Sequence, residues 1–345
     1  MKKKNLLIAG CGYLGLELGR YATRQGCSVW GIRRSRENED EIKSAGIKPL
    51  FLDLLKVKNF DSLPPLDYVP ALVAPALIKS DLMSDYDYVV ACQAPGKNRS
   101  DYRSVYLDAT RNLICALGNR PIKKFLWVSS TSVYGDFDGA WVDESTPTKA
   151  DSENAKILLE AETLVLKSPF PSIVLRLSGI YGPGRNPLHL IEKGLVSLDA
   201  QGYTNHIHVA DAGRLAYFLL ECGKSGQIYL GVDDEPVLRS EFYSWLARGV
   251  PSLRGLAAKQ PGRSNPCSEI ASTTLGMSSR NDRERKLSSR RCSNQKIKSL
   301  GFQFLYPTFR EGLTPECHSE GAPQIYSAGR TNLSASILAE ESGNR

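Results

Sequence analysis

No apolar run in this chain approaches the roughly 18 residues that a membrane-spanning helix needs. The longest, such as residues 157–159 and 215–220, stop far short, so the sequence reads as that of a soluble protein. A secretory leader is not expected either. Met1–Lys4 is basic, but only residues 6–9 are apolar before Gly10, fewer than the about 7–15 residues of a signal-peptide core. The expected compartment is the cytoplasm. The eight cysteines, at 11, 27, 92, 115, 222, 267, 292 and 317, form no CxxC pair. Several sit in apolar runs, which predicts buried thiols rather than disulfides or zinc ligands. No repeat period is present, and no Gly-x-Ser-x-Gly elbow points to hydrolase chemistry.

The chain has 345 residues, 41% hydrophobic and 23% charged, which suits one large globular domain or two modest ones and excludes a wholly disordered chain. Its net charge of +7 is unevenly spread: residues 248–345 carry 15 Lys/Arg against 8 Asp/Glu, the whole of the excess. Nucleic-acid binding would therefore have to come from that tract alone. Its basic cluster, Arg280, Arg283, Arg285, Lys286, Arg290 and Arg291, lacks interleaved aromatics for base stacking and contains Asp282 and Glu284. A solvated loop is the expectation, with phosphate contact as the alternative.

Apolar runs at 5–9, 28–32 and 49–52 alternate with helical patterns, one through Leu14, Leu16, Leu18, Tyr21 and Ala22 closed by Gly26-Cys27 and one at 37–43, a βαβαβ order that marks a doubly wound parallel sheet. Strands at 88–92, 124–129 and 172–177, with helices at 102–117 and 152–167, complete six parallel strands. Residues 61–84 contain Pro64, Pro65, Pro70 and Pro75 and fit no single regular helix. Beyond Gly182 the pattern turns mixed: strands at 206–209 and 227–231, helices at 211–222 and 239–246. The expected layout is a Rossmann domain at 1–180, a smaller C-terminal substrate lobe at 181–313 with a flexible insertion at 251–289, and a polar tail at 314–345 with a weak helix near 334–341.

Gly10-Cys11-Gly12-Tyr13-Leu14-Gly15 follows the first strand and opens the first helix, the context that gives a GxGxxG meaning. Gly10 permits the sharp turn, Gly12 lets a pyrophosphate approach, and Gly15 lets the helix pack on the sheet, with helix N–H groups facing the anion. Cys11 could be activated there, or could be a small filler. The second strand ends in Arg33-Arg34 with no carboxylate before Glu37. Arginine suits a 2′-phosphate, which an acid would repel, so NADP is the expected cofactor with NAD as the alternative; two solvated surface arginines are the bland reading.

Together these residues resemble the extended short-chain dehydrogenase/reductases, also called the NAD-dependent epimerase/dehydratase family. Phe51-Leu52-Asp53-Leu54 is similar to the family's third-strand end, whose Asp, here Asp53, would reach toward the adenine. Residues 85–95 (DYDYVVACQAP), which include Ala94, are similar to its fourth strand, and Thr110-Arg111-Asn112-Leu113 to the next helix. Residues 128–135 (VSSTSVYG), 144–147 (ESTP), 174–184 (VLRLSGIYGPG), 207–211 (IHVAD) and 291–302 follow in the family's order. The resemblance runs from about Asn5 to Leu313. It implies a cofactor site at Gly10, Gly12, Tyr13, Leu14, Gly15, Arg33, Arg34, Asp53, Leu54 and Ala94.

The family's chemistry also uses a Ser or Thr on the fifth strand and a Tyr-x-x-x-Lys on the following helix. Ser130 matches the hydroxyl, and Lys156 matches the lysine in one register, but the tyrosine position then falls on Ser152. Aligning on Glu162 puts Asn154 and Leu158 at the two positions. No tyrosine occurs between Tyr134 and Tyr181, and serine lacks a comparable accessible pKa for acid/base work. The expectation is a reductase or epimerase-like enzyme with an unusual acid/base, acting on an unknown small molecule; the alternative is a non-catalytic NADP-binding sensor or interaction protein. His206 and His208 alternate on a strand with no third ligand at metal-site spacing, so no metal is expected.

Overall fold

The structure, a computed structural model, describes residues 3–56, 86–96, 102–248 and 289–313. The proline-rich 61–84 segment, nearly all of the 251–289 insertion, the 314–345 tail and the arginines at 280, 283 and 285 lie outside the described residues.

Seven strands form one parallel sheet: β1 (Asn5–Ala9), β2 (Ser28–Arg33), β3 (Ile47–Phe51), β4 (Tyr88–Ala91), β5 (Lys124–Ser130), β6 (Ser172–Leu177) and β7 (Ile228–Gly231). Their spatial order is β3-β2-β1-β4-β5-β6-β7, and every pairing is parallel. The interiors of β1, β4 and β6 are buried on both faces, which explains why they read as unbroken apolar runs. The order reverses between β1 and β4, the crevice where open α/β sheets bind ligands. The seventh strand comes from a segment that the sequence reading assigned to the smaller lobe: the chain leaves the sheet after Leu177 and returns to pair Ile228 with Val174.

Helices α1 (Tyr13–Arg24) and α5 (Val209–Cys222) cover one face, packing Leu14, Leu18 and Ala22 with Leu215 and Leu219. A Cβ at Gly213 would lie 3.0 Å from the Leu18 nitrogen, so the two helices touch almost backbone to backbone. Short α2 (Glu39–Ser44) joins β2 to β3. The other face is covered by α3 (Ala109–Leu117) and α4 (Glu153–Leu166), around Leu113, Phe125, Trp127, Leu158 and Val165. The single helix expected over 102–117 instead contains a π-helical turn, Ser104–Asp108, before α3. A third cluster joins Tyr181, Ile191, Phe242 of α6 (Arg239–Arg248) and Phe309 outside the sheet.

Candidate dinucleotide and substrate site

The turn after β1 is shaped by its glycines in three different ways. Gly10 has φ +91°, and a Cβ there would sit 2.4 Å from the Gln93 nitrogen; its N–H and that of Cys11 both donate to Ile32 O, at 3.2 and 2.9 Å. A Cβ at Gly15 would come 2.6 Å from Gly10 O, so the helix packs against its own entry turn. A Cβ at Gly12 meets nothing within 4 Å among the described residues. Gly12 caps α1 without a side-chain hydrogen bond, and no acid lies in the first turn. The helix N–H groups therefore face open space of the kind a pyrophosphate fills, and the residues fit a dinucleotide. Burial pushes the Cys11 thiol up to about 12, so it is a neutral filler packed against Gly31.

A cavity of about 520 Å³ runs along this crevice. Gly10, Gly12, Tyr13 and Leu14 line it, as do Arg33 and Arg34 at the end of β2. Asp53 and Leu54 after β3, Ala94 after β4, and Ser130 after β5 line it too. Gly15 lies behind the turn rather than in the wall. Arg33 is half-buried and Arg34 exposed. Asp53 Oδ1 accepts the Leu55 N–H at 3.1 Å, and Asn112 Nδ2 donates to Leu54 O at 3.0 Å, fixing the turn that carries Asp53. Thr110 Oγ1 accepts from both Trp127 Nε1 (3.0 Å) and Gln93 Nε2 (3.1 Å), which joins β5 and the segment after β4 to α3.

The catalytic pair of the sequence reading is not brought together. Ser130 stands in the cavity wall, its hydroxyl accepting the Ser132 N–H at 3.1 Å. Lys156 is not among the lining residues: its ammonium lies 2.8 Å from Glu153 on the exposed side of α4. Ser152 is the N-cap of α4, accepting the Ala155 N–H at 3.2 Å, and Asn154 is exposed. Where α4 faces the sheet it presents Glu162, held bidentately by Arg176 at 2.9 and 2.7 Å and by the Ser129 hydroxyl at 2.6 Å.

Several lining residues escaped the sequence reading. Tyr106, from the π-helical turn, lines the cavity with its ring 6.2 Å from that of Trp127. Arg185 lines it too, with its guanidinium 4.6 Å from the Tyr13 ring centre. Burial raises the Tyr13 phenol above its usual value, partly offset by Arg185. His206 and His208 serve packing: His206 stacks on Phe242 at 4.1 Å, and His208 Nδ1 accepts the Ala210 N–H to cap α5. Among the described residues no group of three His, Cys, Asp or Glu could hold a metal ion. No helix among them is long and apolar enough to cross a membrane.

Residues 6–230 match the model of the NAD dependent epimerase/dehydratase family. Protein YeeZ of Escherichia coli (strain K12) is 30% identical over 248 residues, covering 71% of this chain and 83% of that protein. Among solved structures, a functionally unknown conserved protein from Silicibacter pomeroyi superposes with a TM-score of 0.60 at 25% identity, covering 90% of this chain and 96% of that one. UDP-glucuronic acid 4-epimerase from Bacillus cereus, in complex with NAD, superposes with a TM-score of 0.63 at 18% identity over 93% of this chain and 99% of that one. With the glycine turn, the switch-point cavity and the seven-stranded parallel sheet in place, the match over most of the sheet domain means that the chain belongs to the NAD-dependent epimerase/dehydratase family.

Proposed function

We propose that this protein is an NADP(H)-binding enzyme of the reductase or epimerase type, acting on a hydroxyl or carbonyl of a small substrate without the family's helix tyrosine. The observation that carries this reading is the single cavity that runs from Arg33, Arg34 and Asp53 past Gly12 to Ser130. The N–H groups of α1 bind the pyrophosphate, and the arginines after β2 take the 2′-phosphate by charge-assisted hydrogen bonds. A nicotinamide cofactor, when bound, supplies a two-electron hydride donor or acceptor. Ser130 orients the substrate oxygen at the far end.

The proton is assigned to a phenol from another helix. Tyr13 and Tyr106 both line the cavity, and burial raises the Tyr13 pKa, which makes Tyr13 a poor base. Tyr106, on a π-helical turn of the kind that recurs at functional sites, is the better-placed acid/base. One observation favours a non-catalytic NADP-binding protein instead: the lysine that would assist a tyrosine is paired with Glu153 at the surface. A crystal soaked with NADP decides between them. Density for the nicotinamide beside Ser130, with a small molecule against it, supports the enzyme; a nicotinamide ring turned out of the cavity supports the sensor.

A further inference from the structure

Residues 136–143 and 289–293 form a ribbon that stands outside the seven-stranded sheet, and its two segments are bonded to each other. Trp141 and Val142 pair with Arg291 and Cys292. Arg291 N donates to Ala140 O and Ser293 N to Val142 O, both at 2.9 Å, while Ser289 O accepts from Phe137 N (3.0 Å) and Gly139 N (3.1 Å). Ser289 N donates to Asp136 at 3.0 Å. Arg291 adds a side-chain tie, with its Nε donating to Gly139 O at 2.7 Å and its guanidinium carbon 5.1 Å from the Trp141 ring centre. These bonds lie within the ribbon, so they survive when its two segments move together.

The ribbon is latched to the body of the protein at residues 203–205. The Asn205 carboxamide grips its backbone at two points: Nδ2 donates to Arg290 O at 3.0 Å, and Oδ1 accepts from Cys292 N at 2.8 Å. Tyr203 N donates to Ser289 Oγ at 3.0 Å. Cavities lie on both sides of this latch. One, of about 250 Å³, is lined by Ser130, Thr131, Asn205, Arg239 and Arg290, and Ser130 lines the larger dinucleotide cavity as well. The other, of about 420 Å³, is lined by Trp141, Val142 and Asp143 and by residues 292–295. A polar latch with open space on either side sets the ribbon at the low end of local stability. Below it the chain is anchored by the short helix Gln295–Ser299, where Ile297 is buried and Lys296 Nζ donates to Ile228 O at 2.7 Å. Asn294, between ribbon and anchor, donates from Nδ2 to Asp233 O at 3.1 Å.

We propose that this ribbon is a flap that opens by releasing the Asn205 latch and pivoting at Asn294, and that its opening uncovers the Ser130 end of the site from the side. The opening follows from the bonding of the ribbon; the purpose given to it rests on the reading of the larger cavity as the reaction site. With the latch closed, Arg290 is part of the wall beside Ser130, and with the latch released that wall leaves with the ribbon. Such a flap gives a substrate an entrance separate from the crevice that the cofactor fills. Cys292 reports the movement. It is 1% exposed in the closed ribbon, and burial pushes its thiol up to about 11, so it stays unreactive until the ribbon lifts.

The test is the rate at which N-ethylmaleimide labels Cys292 in the full chain, read by peptide mass spectrometry against Cys27, which is buried in the cluster on the other face of the sheet and reports global unfolding. In the wild type Cys292 should react faster than Cys27. Asn205→Ala removes both latch bonds to the ribbon backbone and should speed the labelling of Cys292 by about ten- to a hundred-fold, with that of Cys27 within about twofold of wild type. Thr131 is 4% exposed in the wall of the small cavity. The thiol introduced by Thr131→Cys, in a chain that also carries Cys292→Ser, should show the same sensitivity to Asn205→Ala. Equal rates at Cys292 and Cys27 in every chain would mean that the ribbon leaves only when the whole fold does, and would overturn the flap. A Cys292 that responds to Asn205→Ala while the introduced thiol does not would overturn the opening toward Ser130. Labelling needs no cofactor, so a chain that fails to bind NADP yet shows latch-dependent labelling loses the cofactor reading and keeps the flap.

Discussion

The Glu162 carboxylate and the Arg176 guanidinium form a two-point ion pair, at 2.9 and 2.7 Å, with each side chain only 4% exposed. Ser129 adds a third bond to the carboxylate, and the Tyr134 ring centre lies 4.9 Å from the guanidinium carbon. The pair ties α4 to β5 and β6 immediately beneath Ser130. It occupies the stretch of α4 that packs on the sheet, and it serves as a brace.

Removing one member of such a pair strands a buried charge. Arg176→Leu should therefore destabilise the fold by about 3–5 kcal/mol, read as a lower midpoint in urea denaturation. The double change with Glu162→Leu should recover most of that loss, because no charge is then left buried. A double variant as unstable as the single one would show that the brace is not electrostatic.

The first two glycines of the β1 turn should separate folding from binding. Gly10→Ala meets the Gln93 nitrogen at 2.4 Å and forces a side chain into positive φ, so it should lower the melting temperature. Gly12→Val has room in the protein and fills the space before the helix N–H groups. It should leave the melting temperature near wild type and weaken cofactor binding at least about tenfold, since it displaces contacts worth more than about 1.4 kcal/mol. Equal effects of both on melting would contradict the open cradle at Gly12.

Burial lowers the His206 pKa to about 3, whereas in the unfolded chain it titrates near an ordinary ~6.5. Below the unfolded value the unfolded state takes up a proton that the folded state refuses. The contribution of His206 is thus fully present above about pH 6.5 and declines as pH falls toward 3, by up to about 1.4 kcal/mol per pH unit. Denaturation of the wild type and His206→Gln at pH 7 and pH 5 should show a smaller pH loss in the variant. Parallel pH profiles would mean that His206 is not neutral in the fold.

Tyr106→Phe should lower turnover by about 10²–10⁴-fold, the usual worth of acid/base help, while leaving NADP affinity within about twofold, a few tenths of a kcal/mol. Ser130→Ala should likewise spare cofactor binding and reduce turnover. Ser152→Tyr should not restore anything, because Ser152 is spent on capping α4. A gain of activity in that variant would instead place the substrate as in tyrosine-using relatives.

The sheet and the glycine turn were legible in the sequence because their signals are local. Buried parallel strands are short apolar runs, and the glycine turn packs three backbone requirements into six residues, Gly10 to Gly15. What stayed hidden depends on convergence of distant segments. Residues 228–231 read as part of a lobe since nothing local says that the chain returns to Ser172–Leu177. Arg185 and Arg239 carry no motif of their own, Arg290 reads only as part of a basic cluster, and each shares a cavity wall with Ser130 only in three dimensions. Two signals were present and outweighed. A serine just ahead of a helical run, as at Ser152, is an N-cap pattern, and Glu153 three residues before Lys156 is a surface pair. Matching a tyrosine-lysine register masked both.

The account depends most on the cofactor and its extra phosphate. Calorimetric titration of the wild type with NADP and NAD, repeated on the Arg33→Ala/Arg34→Ala variant, tests this directly. NADP should bind the wild type at least about tenfold more tightly than NAD, and the double variant should lose about 1.5–3 kcal/mol of NADP binding, roughly ten- to a hundred-fold, with NAD affinity almost unchanged. Tighter binding of NAD than NADP, or equal losses for both cofactors in the variant, would contradict it.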